Sequence, residues 1–525
     1  MEFKLKNLIT VLLLVGTLTI HSKFLYADET VDVSNGTDEI VVTSSYIDTN
    51  LSDLDDPIHV VDGNDTIFDT TLSLGESLDN LLGVQSSDFG SAVGHPIIRG
   101  LSGNRVRIMN NGRTLRDVST IGDDHMNEVD LNDIQQVEIV RGPSSLLYSS
   151  GTVGGIVNII DNTIAKEDFK ESRLNIGLEG QSVNDGESGS ISYQNNFGGF
   201  NVSLAYKDSQ FDNYDIPNGA IIHMEDEHHD EDEHHDEDEH HDEDEHHDED
   251  EHEMEIDYFN KDYSETSFAV NFAREVNDNF TVSLGLARVE RAPSAVELFM
   301  NGAHLVTGRF EVGNTELESE TANNIDLNIF YQNNNFSLRG NIFKNDIDNY
   351  IYLQDETEEE HEEHEEHDDH GGLILANYLQ KDAELEGYEF EISQVFAFDR
   401  GNLTLSLGRD SVTGEFKNGM NIPRIIPARN ILTVSYSEDN LSARLTYKDV
   451  EEQNDIGQGE TATEAYEMLD FSLRKTFVLS NQNEISLSLF GKNLLDEVAR
   501  NHASFVKNEV PLPGRNYGLK LNYKF

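Results

Sequence analysis

Two stretches of this chain carry side chains arranged for chemistry rather than for packing. From Glu225 to Glu255 the hexamer His-His-Asp-Glu-Asp-Glu repeats, placing paired imidazoles at His228 and His229, His234 and His235, His240 and His241, and His246 and His247, with His252 trailing. From Asp355 to His370 a second run sets His361, His364, His367 and His370 at every third position among glutamates. Imidazole interleaved with carboxylate suits zinc, and equally copper, nickel or iron. Neither run contains residues from which a core can be built. Both are therefore expected as polar surface loops, over 223–257 and 355–372, that capture cations loosely.

The bulk composition narrows the partners. Over 525 residues, 101 acidic against 36 basic side chains leave a net charge of −65, which disfavours nucleic acid and favours cations. There is no cysteine, so a metal has to be held by His, Asp, Glu or carbonyl oxygens. No nucleophile elbow, phosphate loop or His-Glu-x-x-His motif is present, and an enzyme is not expected.

Residues 1–27 read as a secretory signal peptide: Lys4 and Lys6 open it, Leu8 to Ile20 form the apolar stretch, and Leu25 and Ala27 precede a cleavage point. Residues 28–50 are polar except for Asp38-Glu39-Ile40-Val41-Val42-Thr43, a β-prone hexamer able to add to the sheet edge of a partner. From 51 to 165 the chain reads as a compact α/β unit. Leu74, Leu78, Leu81 and Leu82 share one face of a helix over Leu72–Leu82, and strands are expected at Val106–Met109, Val137–Val140 and Ile156–Ile160. Asn110-Asn111-Gly112 signals a turn needing positive φ.

From 170 to 525 the texture is period-2 alternation. Leu174-Ile176-Leu178, Val202-Leu204-Tyr206, Phe268-Val270-Phe272, Val282-Leu284-Leu286, Ile325-Leu327-Ile329 and Leu519-Leu521-Tyr523-Phe525 are examples. Short turns such as Asn277-Asp278-Asn279 and Asn333-Asn334-Asn335 alternate with long polar connections. Such a plan predicts an all-β transmembrane barrel, antiparallel and of the outer-membrane type.

The phrases IIRGLSGNRVRIMNNG and VEIVRGPSSLLYSSGTVGGIVNII, with terminal Phe525, closely resemble the TonB-dependent outer-membrane receptors. By that resemblance 51–165 is an N-terminal α/β plug inside the barrel of 170–525, and Asp38 to Thr43 is the TonB box. The implied partners are the TonB energy-transducing complex of the inner membrane, outer-membrane lipid, and the barrel-assembly machinery acting on Phe525. Arg291-Ala292-Pro293-Ser294 occurs widely in these receptors. Val296-Glu297-Leu298-Phe299, His304 and the His-rich loops are more typical of the zinc-uptake branch.

The zinc-branch resemblance implies a four-ligand site: Asp124 and His125 at the plug apex, Glu297 and His502 from the barrel, and His304 in reserve. Zinc, the expected cargo, favours such a tetrahedral N/O set when no thiolate is available, and no prosthetic group is implied. Pulling on the TonB box would withdraw Asp124 and His125 from the barrel ligands. Proton competition for imidazole would weaken capture below about pH 6. A receptor for haem or a metal chelate (siderophore), and a non-transporting metal-binding surface protein, stay open as alternatives. The alternation yields roughly 14 strands against about 22 in plugged transporters. Relative to the zinc-receptor pattern, the shortfall falls between Glu255 and Val282.

Overall fold

The computed structural model describes residues 41–42, 49–50, 58–63, 65, 73–90, 93–122, 124–127, 129, 134–149, 151–161, 168–221, 261–357, 372–479 and 483–525. The signal peptide and Asp38, Glu39, Ile40 and Thr43 of the box lie outside the described residues. So do the loop histidines expected to capture metal: His228, His229, His234, His235, His240, His241, His246, His247 and His252 of the first run, and His361, His364, His367 and His370 of the second. Val41–Val42 (β1) pairs with Thr49–Asn50 (β2).

The plug is built on β3 (Ile58–Asp62), β4 (Val84–Ser86), β5 (Pro96–Ile98), β6 (Val106–Asn110), β7 (Arg113–Thr114), β8 (Ile134–Arg141) and β9 (Gly155–Asp161). Five of these make one mixed sheet in the order β3-β8-β9-β6-β7, while β4 and β5 form a hairpin. Val137, Ile139, Val157 and Ile159 bury one sheet face against Leu74, Leu78, Val84 and Ile98. Asn111 (φ 49°) and Gly112 (φ 74°) make the positive-φ turn joining β6 to β7.

The helix is shorter than its leucine spacing predicts, running only Leu74–Leu78 with Ser73 as its cap. Beyond it the carbonyls of Asp79, Leu81 and Val84 receive hydrogen bonds from the barrel residue Arg429. A guanidinium thus replaces the amide donors that would have continued the helix. Leu82 still reaches the interior.

The barrel wall comprises β10 (Arg173–Gln181), β11 (Glu187–Phe197), β12 (Phe200–Gln210), β13 (Phe268–Asn277), β14 (Phe280–Arg291), β17 (Glu320–Gln332), β18 (Phe336–Asp355), β19 (Ile374–Ala397), β20 (Asn402–Phe416), β21 (Arg429–Glu438), β22 (Leu441–Val450), β23 (Tyr466–Val478), β24 (Glu484–Lys492) and β25 (Asn516–Lys524). The hairpin β15 (Asn301–His304) and β16 (Arg309–Val312) lies in the connection between β14 and β17. Alternation explains the wall. On β17, Ile325, Leu327 and Ile329 are exposed on the outer face, whereas Asn324 and Asp326 are buried inside. Strands β18, β19 and β23 lack so regular an apolar row and are less distinct in the sequence. Asp355, expected to open the second loop, ends β18 and is tied to Arg309.

All wall strands run antiparallel in the order β12-β11-β10-β25-β24-β23-β22-β21-β20-β19-β18-β17-β14-β13. Among the described residues this path of fourteen strands ends at β12 on one side and β13 on the other. The expected shortfall between Glu255 and Val282 is not a blank stretch, since β13 (Phe268–Asn277) and the start of β14 fall within it. Short turns follow β11, β13, β17, β19 and β21; the connections after β12, β14, β18, β20, β22 and β24 are long. In sequence the two His-rich runs belong to the connections after β12 and after β18.

Candidate functional site

The plug is fastened to the wall by buried charge. Arg99 donates to Asp326 (2.5 Å) and Glu389 (2.8 Å), and Arg141 donates to the other Glu389 oxygen at 2.6 Å. Arg105 is paired with Glu320, which also accepts from Arg291 at 2.6 Å. Arg429 joins Asp79 of the plug to Asp410 of the wall. Each of the wall carboxylates, Glu320, Asp326, Glu389 and Asp410, lies on an inward strand position, where the alternation leaves polar residues to meet the plug.

Above this layer, on the long-loop side, the plug loop carrying Asp124 meets the β15–β16 hairpin. The hairpin turns through Gly308 (φ 66°), and β16 runs parallel to the start of β19. Arg309 anchors it, donating to both oxygens of Asp355 at 2.8 and 2.7 Å. In the hairpin register Gly302 faces Glu311 and His304 faces Arg309, so His304 and Glu311 share a face. There His304 Nδ1 is 2.7 Å from Glu311 Oε1, and His304 Nε2 is 3.2 Å from Asp124 Oδ1. Tyr378 donates to the second Glu311 oxygen at 3.4 Å. The Glu311 hydrogen bond, opposed by partial burial and joined by Asp124, pushes the His304 imidazole up to about 9.

Asp124 Oδ1 is buried and receives no well-aligned hydrogen bond. His125 Nε2 lies 3.8 Å from Asp124 Oδ2, and the His125 carbonyl accepts from the buried His95 ring. Gly122 makes the approach possible: a Cβ there would stand 2.5 Å from Asp124 Oδ1 and 3.3 Å from His304 Cε1. Beside this group opens a cavity of about 240 Å³ lined by His304, Glu311, Tyr350, Tyr352, Tyr378 and Arg424.

The structure thus brings together Asp124, His125 and His304; Glu297 lines the same cavity as His304, whereas His502 lines a different one. Glu297 is engaged otherwise: it closes the capping box of helix Ala295–Phe299 with Ser294 and takes a bidentate pair from Arg291 at 2.9 and 3.0 Å. His502 is buried near Glu460, with Nε2–Oε1 3.2 Å, and its Nδ1 lies 3.0 Å from the Thr463 hydroxyl. Burial holds His502 below its ordinary value. In this form neither offers an atom to Asp124. Sequence reasoning misses Glu311 as the partner of His304; the turn-forming Gly308 between two short β-prone segments is the signal that pairs the two. Among the described residues no three His, Asp or Glu side chains form a ready coordination shell. His304 instead sits between two carboxylates, Asp124 and Glu311.

A barrel model described as TonB dependent receptor-like, beta-barrel matches residues 200–494, and the TonB-dependent receptor plug domain matches residues 50–156. The chain belongs to the TonB-dependent receptor family. It is a plugged β-barrel of the Gram-negative outer membrane, and the family is one of receptors and not of enzymes. The vitamin B12 transporter BtuB of Photobacterium profundum is 29% identical over 177 residues, 33% of this chain and 28% of that protein. The aligned part is thus under a third of that relative's length. Among solved structures, the copper transporter OprC superposes with a TM-score of 0.67 at 13% identity, covering 89% of this chain and 100% of that one. The siderophore receptor PirA of Acinetobacter baumannii gives 0.60 at 13% identity, covering 89% and 98%. At such identity these likenesses speak to the fold alone.

Proposed function

We propose that this TonB-dependent receptor captures a divalent metal ion, zinc first among candidates, and imports it with energy from the TonB complex. The observation that carries the reading is the placement of His304 between Asp124 of the plug and Glu311 of the barrel. Glu311 orients the ring through Nδ1, which leaves Nε2 facing Asp124 Oδ1. A histidine oriented by a carboxylate on one nitrogen and free to ligate on the other is a common element of zinc sites. Zinc at Nε2 would replace the proton there and take Asp124, and His125 after a small shift, as further ligands. Because Asp124 belongs to the plug and His304 to the barrel, any displacement of the plug dismantles such a site. The acidic His-rich runs support the same reading by concentrating cations on the long-loop side, within a Debye length of about 8 Å.

A metal chelate as cargo is the second reading. It is favoured by the aromatic and basic lining of the cavity, with Tyr350, Tyr352, Tyr378 and Arg424, and by the siderophore and B12 receptors among the relatives. Zinc accumulation by receptor-deficient cells tests both readings. Accumulation restored by the intact protein and lost with Val41→Pro in the box or with His304→Ala supports zinc import. Restoration that is indifferent to His304→Ala favours the chelate.

A further inference from the structure

The connection between β24 and β25 grips the plug on one side and the β15–β16 hairpin on the other. Its segment 501–507 is a stiff turn. The Ala503 amide donates to the Asn501 side chain at 3.0 Å, the Ser504 amide to the Asn501 carbonyl at 3.0 Å, and the Val506 amide to the Ser504 hydroxyl at 3.2 Å. Lys507 pins its far end to Glu460 at 2.9 Å.

Toward the plug, Asn501 Nδ2 donates to the Ser86 carbonyl at 2.5 Å and the Ser504 hydroxyl to the Asp88 carbonyl at 2.6 Å. The Phe505 ring stacks on Phe89 with centroids 6.2 Å apart. The gripped plug segment doubles back on itself. The Ser87 amide donates to the His95 carbonyl at 2.9 Å, and the His95 amide to the Ser87 hydroxyl at 3.0 Å. These bonds place the buried His95 ring, whose Nε2 lies 2.5 Å from the carbonyl of His125, the neighbour of Asp124.

Toward the hairpin, the Phe505 carbonyl accepts from Arg309 at 3.3 Å. The guanidinium groups of Arg309 and Arg424 lie 5.0 and 4.0 Å from the centre of its ring, within cation–π range. Arg309 is the register partner of His304 across the hairpin. One turn of the wall therefore leads to Asp124 through His95 and to His304 through Arg309.

We propose that Phe505 is a positioning residue, which ties the plug segment and the hairpin to one turn and so sets the approach of Asp124 to His304. Two ligands on separate parts of a protein hold a cation tightly only when their spacing is fixed beforehand. The phenyl side chain offers zinc no ligand atom, so its effect on binding runs through position. The consequence for affinity rests on the zinc reading above, whereas the spacing itself does not.

The chain has no cysteine, so nitroxides can be attached at Val118→Cys on the plug and Leu305→Cys on the hairpin, both exposed. In the full-length, metal-free receptor, Phe505→Ala should weaken their dipolar coupling and broaden its distance distribution, and Phe505→Tyr should restore both. The zinc affinity that depends on His304 should fall about 10–100-fold in Phe505→Ala, the range for groups that orient metal ligands, and recover in Phe505→Tyr. If Phe505→Ala does not assemble, Phe505→Leu, which keeps apolar bulk without the ring, carries the same expectation. Unchanged coupling in the substituted receptor, or zinc affinity unmoved by a broadened coupling, overturns the proposal. An unsubstituted receptor that binds no zinc overturns the zinc reading instead, because the coupling is read without metal.

Discussion

His304 on a barrel hairpin places Nε2 3.2 Å from Oδ1 of Asp124 on the plug, with Glu311 holding its other nitrogen at 2.7 Å. On the long-loop side, above the buried ion pairs that fasten the plug, the two parts of the receptor therefore also meet through this imidazole. This contact is what an imported cation would replace and what movement of the plug would break.

Glu311 touches only the far side of the ring, so Glu311→Gln should weaken zinc binding without abolishing it. Outer-shell carboxylates of this kind contribute about 10–100-fold in affinity. Calorimetric titration of Glu311→Gln against His304→Ala checks the order, with the alanine variant expected to lose the site altogether.

Gly122→Ala should also impair binding, though it removes no ligand. Its new methyl would stand 2.5 Å from Asp124 Oδ1, so the carboxylate has to turn away from His304. The folded barrel, followed by its heat-modifiable migration in gels, should be unchanged while zinc affinity falls.

The pH dependence is set by His304, raised from the ordinary 6.5 to about 9. A raised value means that the charged pair contributes fully below about pH 6.5 and is lost as pH rises through about 9. Without metal, the thermal midpoint of the plug should fall across that window. Zinc affinity should rise over the same window by about tenfold per pH unit, since one proton is displaced. Differential scanning calorimetry and metal titrations at several pH values test the two opposite slopes, and His304→Gln should flatten both. Weakening of capture thus begins well above the pH 6 that free imidazole suggests.

Glu389 accepts from both Arg99 and Arg141, so Glu389→Ala leaves two buried guanidiniums short of a partner. Breaking a buried pair from one side costs about 3–5 kcal/mol. Hydrogen exchange in β8 and β9 should accelerate while exchange in the wall strands is unchanged.

Much of this architecture was legible in the sequence because lipid and lumen impose a period of two. Leu204, Val270, Leu286 and Ile325 announced their strands by alternation alone, and the turn at Asn111-Gly112 by residue type. The helix length was not legible, since Arg429 lies some 350 positions away in sequence and only the fold brings its guanidinium to the carbonyls of Asp79 and Leu81. Of the residues proposed for the site, the structure groups some and not others. Asp124, His125 and His304 lie near one another, but Glu297 carries the same formal charge whether it faces a metal or, as here, Arg291. His502 likewise reads as a loop histidine until its burial beside Glu460 is seen. Glu311 needed the hairpin register, which places it on the face of His304.

The most direct measurement is zinc titration of the folded receptor lacking both His-rich runs, compared with the same protein carrying Asp124→Ala or His304→Ala. One tight, stoichiometric site that survives removal of the runs and disappears in either variant is the predicted result. Loss of all binding with the runs, or a tight site indifferent to both substitutions, would contradict a metal site shared by plug and barrel.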